Sequence, residues 1–287
     1  METIKQILPL LLTLSLAGLV LTVGLKARMS DLLYVIRRPA LLAKAVLAVM
    51  IIPPLAAAAL VWLLPLEPVV KAGLMLMAIS PVPPLVPGKE LKIGARKEYA
   101  YGVYVAMALL TIVAVPLVFD LASRIFGHGR MLPFHLIAST VATGVLIPLA
   151  LGMIVRRIAP DFAERAAPWV YRLSMLLIVL VFAPILAAIW PALRQLIGDG
   201  AMVAMAALTV ITLIGGHLLG GPADYDRGTL AVASSVRHPG IAMLIANTAF
   251  DDKRVTAAVL LYLLVSMILG ALYAVWFKHR YPAARPA

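Results

Sequence analysis

The sequence predicts an all-α integral membrane protein of nine transmembrane helices, and three observations carry that expectation. Hydrophobic residues make up 63% of the 287 residues and charged ones only 13%, with a mean hydropathy of +1.01. That balance is too apolar for a soluble domain folded around a single core. The apolar residues are gathered into long runs, most close to the ~20 residues that cross a hydrocarbon layer as a helix. These runs far exceed the alternating ten-residue segments of a membrane barrel. Two of them are interrupted by proline, glycine and a fixed charge, at Pro81 to Lys89 and at Arg237 to Gly240.

The first run, Ile7 to Leu25, is longer than the apolar stretch of a secretory leader and leads straight into basic residues, so it reads as a retained helix. The basic segment Lys26 to Arg38 separates it from Ala40 to Leu64. Then follow Val69 to Arg96 (interrupted), Tyr99 to Leu121, Pro133 to Val155, Trp169 to Trp190, Ala201 to Gly220, Gly228 to Phe250 (interrupted) and Val255 to Phe277. Most of the 25 Lys and Arg residues lie after the odd-numbered helices and in the C-terminal tail, among them Lys26, Arg37, Arg38, Lys97, Arg156, Arg157, Lys278 and Arg280. By the excess of Lys and Arg in cytoplasmic loops, the N-terminus is outside and the C-terminus inside. Trp62, Trp169, Trp190 and Trp276 fall near predicted span ends, where amphipathic rings prefer to lie.

With an odd number of helices the two broken ones run in opposite directions. The chain then divides into inverted repeats at approximately 1–124 and 130–280, the first lacking one helix, within a single transmembrane domain over 1–287. The net charge of +12 sits in short clusters between spans rather than along one face, so it reads as membrane orientation and not as nucleic-acid binding. There is no cysteine, hence no thiolate site and no thiol nucleophile. No cofactor is suggested.

Irregular backbone at membrane depth is tolerated only where protein or a water-filled cavity satisfies it, so the breaks mark the expected working site. In the first, Pro81, Pro83, Pro84 and Pro87 remove four N–H donors before Gly88 and Lys89, and no continuous helix passes through. A half-helix Glu90 to Arg96 beginning at Lys89 would set an ammonium at a positive helix end. In the second, Pro239 and Gly240 follow Ser234, Ser235, Arg237 and His238. A charge at a helix centre costs about 2.5–3.5 kcal/mol on insertion scales, so Arg237 is expected to face a polar interior. It then either binds substrate or clamps the two breaks through backbone carbonyls. His238 is a candidate proton-coupling group. Ser80, Ser234, Ser235, Asn247 and Thr111 are candidate lining residues, with bonds to their own helices an equal reading of the last two. Asp224 and Asp226 read as a solvated turn that caps helix eight, and His217 as a satisfied residue near a span end. No metal site is expected. A serine hydrolase is disfavoured, because no orienting carboxylate and no Gly-x-Ser-x-Gly surround Ser234 or Ser235.

The segment Gly18 to Arg38, GLVLTVGLKARMSDLLYVIRR, taken with the two breaks, resembles the bile acid:sodium symporter family over nearly the whole chain. That resemblance implies a panel domain and a core domain, with broken helices crossing in the core and substrate held between the two. The family's first break carries a Ser-Asn pair that helps bind sodium; alignment through Ala95-Arg96 puts Gly88 and Lys89 there, and alignment on Ser80-Pro81 puts Val86 and Pro87. The second motif resembles Glu-x-x-x-Gln-Asn-x-Gly, and its positions here read Ala233, Arg237, His238 and Gly240. The acidic sodium ligand is missing. Fixed cations at Lys89 and Arg237 would repel sodium, which is bound by oxygen ligands, and would stand in for it. The expectation is a sodium-independent secondary transporter of an organic anion bearing a carboxylate. The alternatives are a sodium-coupled organic anion or bile acid symporter using Ser234, Ser235 or Asn247, and, from another class, an anion-sensing receptor that does not transport.

Overall fold

The computed structural model describes residues 2–126, 132–198, 200–221 and 223–282. Twelve helices can be named in it. They are α1 (Glu2–Lys26), α2 (Met29–Ile36), α3 (Pro39–Leu63), α4 (Pro68–Ile79), α5 (Val86–Lys92) and α6 (Lys97–Phe126), then α7 (Phe134–Ile158), α8 (Pro160–Leu196), α9 (Ala201–Leu219), α10 (Asp224–Ser235), α11 (Pro239–Ala249) and α12 (Arg254–Arg280). Among the described residues, seven helical stretches are long and apolar enough to cross a membrane, and the bent pair α1–α2 brings the number to eight. The chain is a multi-pass membrane protein. The remaining expected span, 69–96, is instead two short helices, α4 and α5, neither long enough to cross alone.

Several boundaries move from those expected, each for a local reason. The basic segment after α1 is not a simple loop. It turns by 81° into α2, whose start is fixed by the Arg28 N–H donating to Asp31 Oδ2 at 2.8 Å, a side-chain acceptor for an orphan donor. α2 buries Asp31, Leu32 and Val35 against α6, at a point where Gly102 leaves room for the Asp31 carbonyl and the Val35 side chain. α5 starts at Val86, not Lys89, because Pro87 suits the first turn of a helix. It stops at Lys92 because Gly94 takes φ 97°, the left-handed conformation that ends helices and favours glycine. Asp224 and Asp226 lie in the first turn of α10; Asp224 is exposed there as expected, but Asp226 is buried. Pro222, which precedes this turn in the sequence, lies outside the described residues. In α3 and α7 a π-turn, Leu47–Ile51 and Ala142–Leu146, comes just before Pro53 and Pro148. The wider turn absorbs the hydrogen bond each proline cannot make.

α1, α7 and α8 pack on one another as a group, and α7 also meets α6 while α8 also meets α12. α1 lies along α8 and α7, and at its crossing with α7 Gly24 meets the Leu149 carbonyl while Gly152 meets the Leu21 carbonyl. Small residues at such crossings let backbones approach where no hydrophobic force drives helices together. A side chain at Gly24 would strike backbone that cannot swing aside. Gly24→Val is therefore expected to destabilise the fold by about 1–3 kcal/mol or more, read as a lower thermal midpoint and less monodisperse protein in detergent. A wild-type midpoint would refute the close crossing.

In the other group α4 packs on α12, α9 on α10 and α12, and α5 on α6 and α10. The α10–α11 stretch has the lowest mean hydropathy of the spans, 1.2, yet 89% of its most apolar window is buried, against 11% for α8. The segment least able to meet lipid is the one most enclosed by protein, as freed polar backbone requires.

Candidate functional site

The two breaks meet, and their backbone hydrogen bonds can be traced donor by donor. In a continuous helix the Ser80 carbonyl would accept from residue 84, which is Pro84 and has no N–H. Arg237 supplies the donor instead, its Nη1 reaching Ser80 O at 3.4 Å. The Pro81 carbonyl accepts from the His238 N–H at 2.9 Å. That N–H would otherwise have served Ser234 O, which accepts from Arg237 Nη2 at 2.7 Å. One guanidinium and one backbone N–H thus answer carbonyls left open at both breaks. Arg237 is 2% exposed, and no carboxylate pairs with it among the described residues. Its partners are carbonyl oxygens, and beside it lies a void of about 20 Å³ lined in part by Ser80, Pro81, Thr111 and Val115. Arg237 thus bonds one backbone carbonyl from each break.

His238 belongs to the crossing and to a second feature. Its Nδ1 accepts from the Ile241 N–H at 3.3 Å, capping α11 ahead of Pro239, which fixes the ring as an acceptor at that nitrogen. The residue also lines a cavity of about 370 Å³. One wall is Leu12, Thr13 and Leu16 of α1, Gly144 of α7 and Ile185 of α8; the other is α11 with Thr256 of α12. The cavity lies between the two packing groups and is mostly apolar. Asn247 opens on it, with its Oδ1 accepting from Thr256 Oγ1 at 2.9 Å.

The other expected residues divide plainly. Ser234 Oγ is buried and donates between helices, with Thr212 O at 2.6 Å and Ala231 O at 2.9 Å as its acceptors. The Ser80, Ser235 and Thr111 hydroxyls donate to Leu76 O, Val232 O and Ala108 O of their own helices. Gly240 faces the cavity, where Leu16 occupies the place a Cβ would take. Lys89 is not at a helix N-terminus. It sits in the last turn of α5, half-buried, and lines neither cavity. Gly88 beside it faces open space. Sequence reasoning missed Thr13 and Thr256, which lie in ordinary apolar spans and gain a role only by facing the cavity.

Ser234→Ala would leave a tightly packed α9–α10 contact without its interhelical bond, where Gly216 meets the serine hydroxyl. Such bonds within membranes contribute about 0.6 kcal/mol on average. A small drop in thermal midpoint with the fold kept is expected; a collapse of folding would show that the serine does more.

A family model described as the sodium bile acid symporter family matches residues 13–197. The chain belongs to that family. A search of the curated proteins finds no match. The matched stretch of this symporter-family chain contains the first break and stops short of the second, where Ala233 and Arg237 stand. That family is one of secondary transporters rather than of enzymes.

Proposed function

We propose that this chain is a secondary transporter that moves an organic anion bearing a carboxylate by alternating access, without sodium, because Arg237 permanently occupies the place of a bound cation. The observation that carries the reading is the guanidinium held between Ser80 O and Ser234 O, one carbonyl from each break. A cation bound by backbone oxygens at a helix crossing does the structural work of a coordinated metal ion. A second positive charge at that distance would be repelled, and Ala233 supplies no carboxylate to offset it.

The substrate sits in the cavity of about 370 Å³, its apolar body against Leu12, Leu16, Ile185, Ile241 and Met243. Its charged end lies toward His238 and Gly240, where the positive end of α11 favours an anion. In this reading α1, α7 and α8 are the panel and the remaining helices the core. Nine membrane segments form two inverted repeats, with the N-terminus outside and the C-terminus in the cytoplasm. Lys89 adds positive potential at the mouth of the broken helix without bridging it. Lys89→Ala is then expected to slow uptake only a few-fold, and complete loss would assign it a place in the site.

The test is uptake of radiolabelled carboxylates into proteoliposomes with sodium, potassium or a proton gradient imposed in turn. Initial rates are expected to be the same when potassium replaces sodium. Stimulation by sodium would sink the proposal, and absence of uptake for every carboxylate would favour a receptor.

A further inference from the structure

Three carboxylates are buried in the described structure, Asp31, Glu90 and Asp226, and two of them have an evident counterpart. Asp31 Oδ2 accepts the Arg28 N–H, and Asp226 lies within electrostatic reach of Arg96 and Arg38. Glu90 has neither. It is 1% exposed, and both of its oxygens are sealed from solvent without a hydrogen-bond partner.

Among the described residues, no cation pairs with the Glu90 carboxylate. On its own short helix, neither Lys89 nor Lys92 hydrogen-bonds to the Glu90 oxygens. From α6, Tyr99 and Tyr101 lie within its electrostatic reach, and the hydroxyls of Tyr99 and Tyr104 are themselves buried and unpartnered. From α10 the facing acid is Asp226, which also reaches Tyr99. Arg96, in the link to α6, is engaged outward, 3.5 Å from the Tyr34 hydroxyl and 4.4 Å from the centre of the Tyr225 ring. Lys97 acts on Lys26 and Asp31. A carboxylate sealed from water among apolar walls and phenols, with no cation paired to it, is held as the neutral acid.

We propose that Glu90 is the proton-carrying group of this transporter, loading one proton from the compartment it faces and releasing it to the other once the half-helix α5 has moved. This inference rests on the transporter reading above, and it supplies the driving force that a sodium-free site lacks. Glu90 stands on the far side of the first break from Arg237, on the element whose packing against α6 and α10 would change if the two breaks shift. One carboxylate anion and one proton would cross together, so net charge is conserved, and Glu90 ends each cycle in the form in which it began. The proton is sealed in this conformation, as a carried ion must be between openings.

The test has two arms. In the first, infrared spectra of purified wild type and Glu90→Gln are compared at neutral pH; Gln keeps the shape of the side chain and removes the titrating group. The wild type should show the carbonyl band of a protonated carboxylic acid that the variant lacks, and no difference at that band would overturn the proposal. In the second, whichever carboxylate the wild type moves is followed in proteoliposomes against protein-free vesicles, which correct for passive entry of the neutral acid. A gradient of one pH unit should support about tenfold accumulation by wild type. Glu90→Gln should lose that accumulation yet retain exchange of labelled for unlabelled substrate, which needs no net proton movement. Accumulation in the variant equal to wild type would overturn proton carriage. Failure of the wild type to move any carboxylate would instead bring down the transporter reading, and with it the coupling role, while the infrared arm still reports whether Glu90 holds its proton.

Discussion

Arg237→Ala is expected to lower uptake about ten- to hundred-fold while leaving protein that folds and inserts. The substitution removes the donors to Ser80 O and Ser234 O and opens their surroundings to the small void already beside the guanidinium. Hydrogen bonds from a charged donor contribute about 1.5–3 kcal/mol each, and a buried acceptor left unpaired costs about 1–3 kcal/mol. Against this, the variant no longer has to hold a buried charge with no acidic partner, and relief of that desolvation offsets part of the loss. The balance for overall stability is therefore small. The loss falls on the crossing itself, which must keep one geometry through the transport cycle. If about 1.5–3 kcal/mol of crossing integrity is lost, the competent population falls roughly ten- to hundred-fold. Arg237→Lys should rescue poorly, since an ammonium on a flexible stem lacks the planar fork that spans two carbonyls. The measurement is uptake per correctly folded molecule, with folding judged by thermal midpoint and elution profile. Wild-type uptake in Arg237→Ala would remove Arg237 from the mechanism; a large fall in midpoint would make it a folding residue only.

The breaks were legible in the sequence because proline acts locally. Pro81, Pro83, Pro84 and Pro239 forbid particular hydrogen bonds wherever they stand, so the two interruptions could be placed to within a few residues. Which carbonyls each break orphans also follows from the sequence, but not which group answers them. The pairing of Ser80 O with Arg237 joins residues 157 apart, and nothing local encodes it. Helix ends were less legible, since hydropathy marks the part of a helix in lipid rather than the helix itself. α8 runs from Pro160 to Leu196, well past the expected Trp169 to Trp190, because Asp161, Glu164, Arg165 and Arg194 continue the helix outside the apolar layer. The same habit hid Glu90, which reads as one more charge beside Lys89 and Lys92 until α6 and α10 close over it. Lys89 shows the converse. Its charge is conspicuous in the sequence, yet a start of α5 three residues earlier places it in the last turn of that helix.

A disulfide between positions 16 and 240 is expected to stop transport completely and reversibly. The chain contains no cysteine, so the double variant Leu16→Cys/Gly240→Cys would carry the only two thiols. Leu16 Cδ1 occupies the place a Cβ at Gly240 would take, which puts the two Cβ positions within about 5 Å, close to the span of a disulfide. Leu16 belongs to α1 and Gly240 to α11, so the bond would tie one packing group to the other across the wall of the large cavity. In the alternating-access reading proposed above, those groups move past each other, because packed helices switch between discrete arrangements rather than stretch. An oxidised tie at the cavity wall would hold one arrangement, and reduction would release it. Uptake should therefore vanish under oxidising conditions and return with a thiol reductant, while each single-cysteine variant stays indifferent to both. The control matters because either substitution alone changes the cavity: a leucine is lost from one wall, and a side chain is added to the other. Undiminished uptake by fully cross-linked protein would mean that α1 and α11 travel together, and the moving boundary would then have to lie elsewhere than between these two groups.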